Sequence, residues 1–235
     1  MSFQTTIQSF VNAKDESAIG YYMIHLERAN ERIQVISELE EKIQTKIPLF
    51  AAADGKELFR QGYPHLCAHR TDMSERGEGD VGCTVSHAWV CRDALKKNLD
   101  YAVVFEDDCV SNRDLEEIIS YLNICKSYFD VTQESWDLFL LGNNAHLDFE
   151  IKTPFLAKVR DFYGTHAVIM SRNFMIALLE IFDEAHSRGR VHSADGLYST
   201  VLKTKGLPAY GCLSCEHFFE QKKGLYSYIV EKVRS

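Results

Sequence analysis

The chain has 235 residues, of which 46% are hydrophobic and 26% charged, a composition typical of a globular protein with a full core. Its 34 acidic residues against 26 Lys and Arg give a net charge of −8, which disfavours a nucleic-acid binder that works by neutralising phosphates. Residues 1–20 lack the basic start and apolar core of a secretory signal, and no stretch has the length and apolar character of a transmembrane helix. Seven cysteines, an odd number, favour free thiols, so we expect a cytoplasmic protein.

The first half of the chain predicts strands that alternate with helices. Residues 20–27 form a candidate strand, and residues 28–45 place apolar side chains at helical spacing. Next come a strand over 47–53, a helix over 85–95 and a strand over 101–105. This alternation predicts an α/β fold with a mostly parallel sheet flanked by helices.

The second half continues the pattern with further elements. The prediction comprises a helix over 115–128, strands over 136–141, 162–170 and 209–213, a helix over 173–182, and a loop in 192–202 that carries Asp195 into a short helix. No repeat or low-complexity linker divides the chain. We therefore expect one domain over 21–235, preceded by an N-terminal extension over 1–20.

The strand at 101–105 ends in three consecutive acids, Glu106, Asp107 and Asp108. Adjacent carboxylates repel one another, so such a cluster persists where solvent or a cation compensates, and hard divalent ions prefer oxygen ligands. Alternate residues of an extended chain face the same way, which makes Glu106 and Asp108 the natural pair. The alternative is a solvated turn whose acids bind nothing.

Other polar residues follow the predicted strands. Arg28 and Arg32 come after the first strand and, four residues apart in a helix, share a face that could reach a diphosphate. Asp54 follows the second strand in an Asp-Gly turn. Ligands of such sheets bind beyond the carboxyl ends of the strands, so we expect these residues and the acidic cluster to share one cleft. The alternatives are that the two arginines lie on a solvated helix face and that Asp54 lies in a turn that binds no ligand.

Several segments, in one order along the chain, resemble glycosyltransferase family 25, which includes bacterial lipopolysaccharide galactosyltransferases and procollagen galactosyltransferase domains. The resemblance runs from about residue 21 to 229 and is most specific where a GExxxGCxxSH pattern precedes a strand ending in EDD. The segments are IHLERANER at 24–32, Asp54-Gly55, GEGDVGCTVSH at 77–87, the acids at 106–108 and GTHAVIMSR at 164–172.

The resemblance implies a GT-A type, Rossmann-like fold and metal-dependent sugar transfer with inversion. It implies a hexose donor, galactose from UDP-galactose, and Mn²⁺ or Mg²⁺ held by Glu106 and Asp108. It implies a glycan or glycoconjugate acceptor, as in lipopolysaccharide biosynthesis. His217 is a candidate for a further metal ligand by similarity to a late histidine in several GT-A enzymes outside this family. The expected donor-binding residues are Arg28, Arg32, Asp54, Ser86, His87, Glu106 and Asp107.

Inverting transfer needs a general base, and a carboxylate is the usual choice. Asp195 matches the acidic residue that the family carries late in the chain, although the residues before it depart from the family pattern. Its alternative role is that of an N-cap for a helix starting at Gly196, since Asp is a favoured cap.

Other functions remain open from the sequence. The same fold could use UDP-glucose, a xylose donor or an N-acetylhexosamine donor, or the chain could be a noncatalytic saccharide-binding protein. We expect no nucleic-acid partner. A lipid-linked acceptor would require contact with the membrane surface, but no polybasic amphipathic helix indicates one.

Overall fold

The computed structural model describes residues 1–63, 76–189, 192–213, 218–223, 226–227 and 232–233. Within them, eight strands form one sheet. Its strands are β1 (Ile19–His25), β2 (Leu49–Ala51), β3 (Tyr101–Glu106), β5 (Leu138–Gly142), β6 (Ala145–Ile151), β7 (Leu156–Tyr163), β8 (Ala167–Ser171) and β9 (Ala209–Cys212). They lie in the order β2-β1-β3-β8-β5-β9-β7-β6.

Short strands also pair outside this sheet: β4 (Cys109–Ser111) with β10 (Phe219–Gln221), and β11 (Tyr226–Ser227) with β12 (Lys232–Val233). A 3-10 turn covers Glu16–Ala18. The helices of the described residues are α1 (Phe3–Phe10), α2 (Arg32–Ile43), α3 (Gly55–Arg60), α4 (Arg76–Lys96), α5 (Leu115–Thr132), α6 (Arg172–Ser187) and α7 (Ala194–Lys205).

Helices cover both faces of the sheet, which confirms the predicted α/β architecture. Strand β3 shows how the sequence separates two cores: Val103 and Phe105 pack with α1, α2 and α5, whereas Ala102 and Val104 pack with α3, α4, α6 and α7. Successive side chains of a strand point to opposite faces, so an unbroken apolar run contributes side chains to both cores. The result is a three-layer fold with β3 near its centre.

The large sheet contains both parallel and antiparallel strand pairs, and these directions determine which polar loops lie at the same edge. Strands β2 and β3 both run parallel to β1, so their carboxyl ends meet at one edge of the sheet. Strand β8 runs antiparallel to β3, with Ala167 paired to Phe105, and therefore begins at that same edge. The loops after β1, β2 and β3 and the loop before β8 are thus neighbours.

The prediction of a single strand over 162–170 is wrong, because this segment contains parts of two strands. Strand β7 ends at Tyr163 and β8 begins at Ala167. Gly164 between them has φ +87°, a left-handed conformation that favours glycine. A Cβ atom at Gly164 would also lie 3.0 Å from the backbone nitrogen of Asn144, so the conformation favours glycine and the neighbouring backbone leaves little space for a side chain.

Two helix starts also differ from the prediction. Helix α2 begins at Arg32 because residues 26–31 form turns, with Ala29 N–H bonded to Leu26 C=O, so Arg28 does not share a helical face with Arg32. Helix α4 already includes Gly77–Gly82, so the predicted helix N-terminus at Val85 is wrong.

Helix α1 was not predicted, and it belongs to one of the two cores. Phe3, Ile7 and Phe10 are buried against β3, β5 and α5. Full burial of such side chains contributes roughly 1.5–3 kcal/mol each. Ser2 caps the helix by accepting the Thr5 N–H.

Gly82, in the 77–87 segment, lets α4 approach the end of β2, and Gly55 lets α3 approach α4. A Cβ atom at Gly82 would lie 2.7 Å from the carbonyl oxygen of Ala53, and one at Gly55 would lie 1.7 Å from the carbonyl oxygen of Glu78. Both obstacles are backbone atoms, which cannot rotate away. Close contact between α3 and α4 therefore depends on these glycines.

We predict that Gly55→Ala lowers the free energy of unfolding by about 1–3 kcal/mol, because the added methyl overpacks against the Glu78 backbone. Gly77→Ala is the matched control, since a Cβ there meets nothing within 4 Å and Ala favours a helix. Urea unfolding of both variants measures the difference. Equal stability of the two variants would contradict the packing argument.

Candidate functional site

A cleft opens at the sheet edge where β1, β2 and β3 end, and α4 forms one of its walls. It gathers polar side chains from four separate parts of the sequence. The sequence-predicted residues that line it are Arg28, Arg32, Asp54, Ser86, Glu106, Asp107 and Asp108.

Asp107 lies at the back of this cleft and is held from three directions. One carboxylate oxygen lies 2.9 Å from His25 Nδ1 and accepts the Leu26 N–H at 3.2 Å. The other accepts a hydrogen bond from Arg32 Nη1. Because the side chain is 4% exposed, these bonds compensate a buried charge, and they tie the end of β1 to the tip of β3.

Asp108 lies beside the same guanidinium. Its Oδ2 is 3.6 Å from Arg32 Nη1, and the residue is 2% exposed. Burial lowers the pKa of Arg32, but Asp108 and Asp107 raise it by more, so the net pKa is above its ordinary value. Arg32 is therefore a permanent cation between two carboxylates.

Glu106, on the other side of Asp107, faces a different set of partners. Thr165 Oγ donates to its Oε1 at 2.8 Å, and His87 Nε2 lies 3.3 Å from the same oxygen. Burial raises the pKa of Glu106, but the hydrogen bonds from His87 and Thr165 outweigh it and bring the pKa below its ordinary value. Glu106 is thus a carboxylate at neutral pH.

Arg28 and Asp54 form a second ion pair, nearer the mouth of the cleft. Arg28 Nε donates to Asp54 Oδ2 at 2.7 Å, and Asp54 also caps α3 by accepting the Lys56 N–H at 2.9 Å. Burial raises the pKa of Asp54, but the bonds from Arg28 and Lys56 lower it by more. The cap places Lys56 on the cleft wall.

Ser86 and His87 have structural partners. Ser86 Oγ accepts the Ala53 N–H at 2.8 Å and donates to the Gly82 carbonyl at 2.6 Å, which fixes the end of β2 against α4. His87 is fully buried, and its Nδ1 lies 3.0 Å from the Tyr198 hydroxyl. His87 contacts Glu106 from the core and is not part of the cleft wall.

Asp195 does not cap its helix, so that alternative is wrong. Ser193 is the N-cap of α7, and Asp195 lies within the first turn, where a negative charge favours the helix dipole. Its Oδ2 accepts the Gly164 N–H at 3.4 Å, one residue before Thr165, which binds Glu106. Asp195 therefore lies beside the loop that holds Glu106 and outside the cleft wall. His217 lies outside the described residues.

Four residues near the acids were not predicted as contributors: His25, Cys83, Thr165 and Tyr198. His25 pairs with Asp107, 82 positions later in the chain, and Thr165 pairs with Glu106, 59 positions earlier. The local sequence pattern does not predict contacts between residues so far apart in the chain. Thr165 lies in the GTHAVIMSR segment, so this motif was the sequence feature that could have identified it as a site residue.

None of the helices in the described part of the chain combines the length and apolar character needed to cross a membrane.

Comparison with solved structures gives distant likenesses. The crystal structure of A197 from STIV aligns at a TM-score of 0.44 and 12% identity, over 87% of this chain and 94% of that one. UDP-glucose pyrophosphorylase complexed with UDP-glucose aligns at 0.37 and 11%, over 92% of this chain and 79% of that one.

Sequence comparison gives the assignment. A protein from Drosophila pseudoobscura pseudoobscura, described as a glycosyltransferase 25 family member, is 33% identical over 98 residues, which are 37% of this chain and 15% of the relative. The chain thus matches only a small part of that relative. The family described as "Glycosyltransferase family 25 (LPS biosynthesis protein)" matches residues 18–186, more than half of the chain. The resemblance seen in the motifs is confirmed, and the chain belongs to glycosyltransferase family 25.

Proposed function

We propose that this chain is a metal-dependent inverting glycosyltransferase that moves a hexose, galactose from UDP-galactose, onto a hydroxyl of a glycan or glycoconjugate. The observation that carries the proposal is the cleft itself, whose lining combines the three consecutive carboxylates at 106–108 with the cationic side chains of Arg28, Arg32 and Lys56. Family membership supports glycosyl transfer. The galactosyl donor and inversion follow from the family resemblance.

A divalent cation fits the donor set of the cleft. Glu106, Asp107 and Asp108 bring three carboxylates close together, and the guanidinium of Arg32 compensates only part of that charge. Asp107 is engaged by His25, Leu26 and Arg32, so Glu106 and Asp108 are the residues that would hold the ion. When bound, Mn²⁺ or Mg²⁺ supplies Lewis-acid stabilisation of the leaving diphosphate.

Cationic side chains of the cleft provide the remaining diphosphate recognition. Arg28 and Lys56 lie on the cleft wall with Asp54 between them, which presents positive charge where the donor would enter. Arg32 stays paired with the aspartates and holds them in position. Arg28 suits diphosphate recognition because the planar guanidinium of arginine can donate two parallel hydrogen bonds to phosphate oxygens.

Asp195 is the proposed general base for the acceptor hydroxyl. It lies in the first turn of α7 and contacts the Gly164–Thr165 loop, so it is linked to Glu106 through one short segment. In this role Asp195 takes the hydroxyl proton as the acceptor oxygen attacks the sugar carbon opposite the leaving diphosphate. Glu106, whose pKa is lowered, stays ionised on the donor side, where Asp108 also lies.

We predict that Asp108→Asn weakens Mn²⁺-dependent binding of UDP by more than about tenfold, because it removes a charged oxygen ligand. Asp114→Asn is the matched control: Asp114 is an exposed N-cap of α5, and Asn caps equally well. Calorimetric titration of UDP with and without Mn²⁺ measures both. Normal Mn²⁺-dependent binding by Asp108→Asn would remove this residue from the metal site.

We predict that Asp195→Asn lowers kcat by roughly a hundredfold or more with little change in donor affinity, since Asn cannot accept the proton. The melting temperature should change little, because Ser193 is the cap of α7. Asp161→Asn serves as control, as Asp161 also contacts α7, through Lys203, at an exposed ion pair. Near-normal turnover of Asp195→Asn would exclude it as the base.

A further inference from the structure

Three side chains of different chemistry meet at the floor of the cleft. Cys83 Sγ lies 3.9 Å from Glu106 Oε1, His87 Nε2 lies 3.3 Å from the same oxygen, and all three atoms lie within 4.8 Å of one another. Cys83 and Glu106 line the cleft, whereas His87 is fully buried behind them. The proposed transfer mechanism uses only Glu106 of this group.

Two of the distances among these atoms are close to those of a tetrahedral zinc site. At ordinary zinc bond lengths, tetrahedral nitrogen and oxygen ligands lie about 3.3 Å apart, and sulfur and oxygen ligands about 3.5 Å apart. The nitrogen to oxygen distance meets this value, and the sulfur to oxygen distance exceeds it by a few tenths of an ångström. Cys83 and His87 are four residues apart on α4, so they share a helix face, and their ligand atoms lie within 4.8 Å of each other. Binding therefore requires the Cys83 side chain to move toward the other two ligands.

The surroundings of His87 suit ligation of an ion through Nε2. With Nε2 bound to an ion, Nδ1 carries the ring proton and can donate it to the Tyr198 hydroxyl oxygen at 3.0 Å, while that hydroxyl donates to Met170 Sδ at 3.1 Å. Ligating histidines commonly have such a partner on the other ring nitrogen.

We propose that Cys83, His87 and Glu106 form a Zn²⁺ site whose fourth position opens to the cleft. The thiolate and imidazole select a softer ion than the all-oxygen pair Glu106 and Asp108 would. The thiolate is the ligand, so the Cys83 proton is released to solvent as the ion binds. The nearby carboxylates of Glu106, Asp80 and Asp195 make the local potential favourable for a cation.

This site goes beyond the proposed function, because zinc binding requires no sugar or nucleotide. Its consequence for that function follows from the shared ligand. With Glu106 bound to zinc, the donor side of the cleft loses one of its two carboxylates, so zinc should inhibit Mn²⁺-dependent transfer. Zinc binding itself can be measured whether or not transfer occurs.

The test is titration of the full chain with Co²⁺ as a spectroscopic substitute for zinc. We expect the near-ultraviolet charge-transfer band of one cobalt–thiolate bond per chain, which added Zn²⁺ abolishes. Cys83→Ala should lose the band. Cys91→Ala should keep it, since Cys91 lies on the same helix with its thiol buried against Met170. Tyr198→Phe should keep the band but weaken Co²⁺ affinity by about tenfold or more.

Two results would overturn the proposal: absence of a thiolate band in the wild-type chain, or an undiminished band in Cys83→Ala. A band lost in Cys212→Ala and kept in Cys83→Ala would place the ion at another thiol and equally overturn it. Cys83→Ser, which changes the side chain least, replaces the alanine variant if that variant fails to fold. Near-ultraviolet circular dichroism without metal checks folding of each variant.

Discussion

The buried contact of Asp107 with Arg32 and His25 is the constraint on which the cleft depends. It joins the tip of β3 to the end of β1 and to the first residue of α2. Loss of one partner of such a buried pair leaves an uncompensated charge, at a cost of about 3–5 kcal/mol. Once Asp107 is fixed, the residues before and after it are fixed too. Glu106 is directed toward α4 and Thr165, and Asp108 stays beside Arg32.

Three consecutive carboxylates persist here because each has a different surrounding. The guanidinium and imidazole compensate Asp107, hydrogen bonds from Thr165 and His87 stabilise Glu106, and Asp108 shares Arg32. The protein thus reduces the repulsion without cancelling it. The remaining negative charge suits a cation, and the cationic residues at the mouth suit a diphosphate. Glu106, together with the thiol of Cys83 and the imidazole of His87, also forms the second, softer set of ligands that we propose for zinc.

Local sequence pattern predicted the parts of the structure that are locally determined. The run at 101–105 gave β3 because apolar residues there alternate between two cores, and the acids fell where the strand ends. Parallel pairing of β1, β2 and β3 then brought Arg28, Asp54 and the acids to one edge, as expected. Contacts such as Thr165 with Glu106 depend on an antiparallel strand far along the chain, which no local pattern encodes. The helix was predicted only from Val85, although α4 begins at Arg76, because Gly82 disfavours a helix locally and is required by a tertiary contact with Ala53 and Gly55.

The most direct test of the account is a donor panel. The chain would be incubated with Mn²⁺ and a series of nucleotide sugars, including UDP-galactose, UDP-glucose and an N-acetylhexosamine donor, and release of the nucleoside diphosphate would be measured with and without chelator. The account predicts release from UDP-galactose above the other donors, and its loss when chelator removes the ion. Release that continues undiminished in excess chelator would contradict the metal role of Glu106 and Asp108. Absence of release from every donor would contradict the proposed transfer itself.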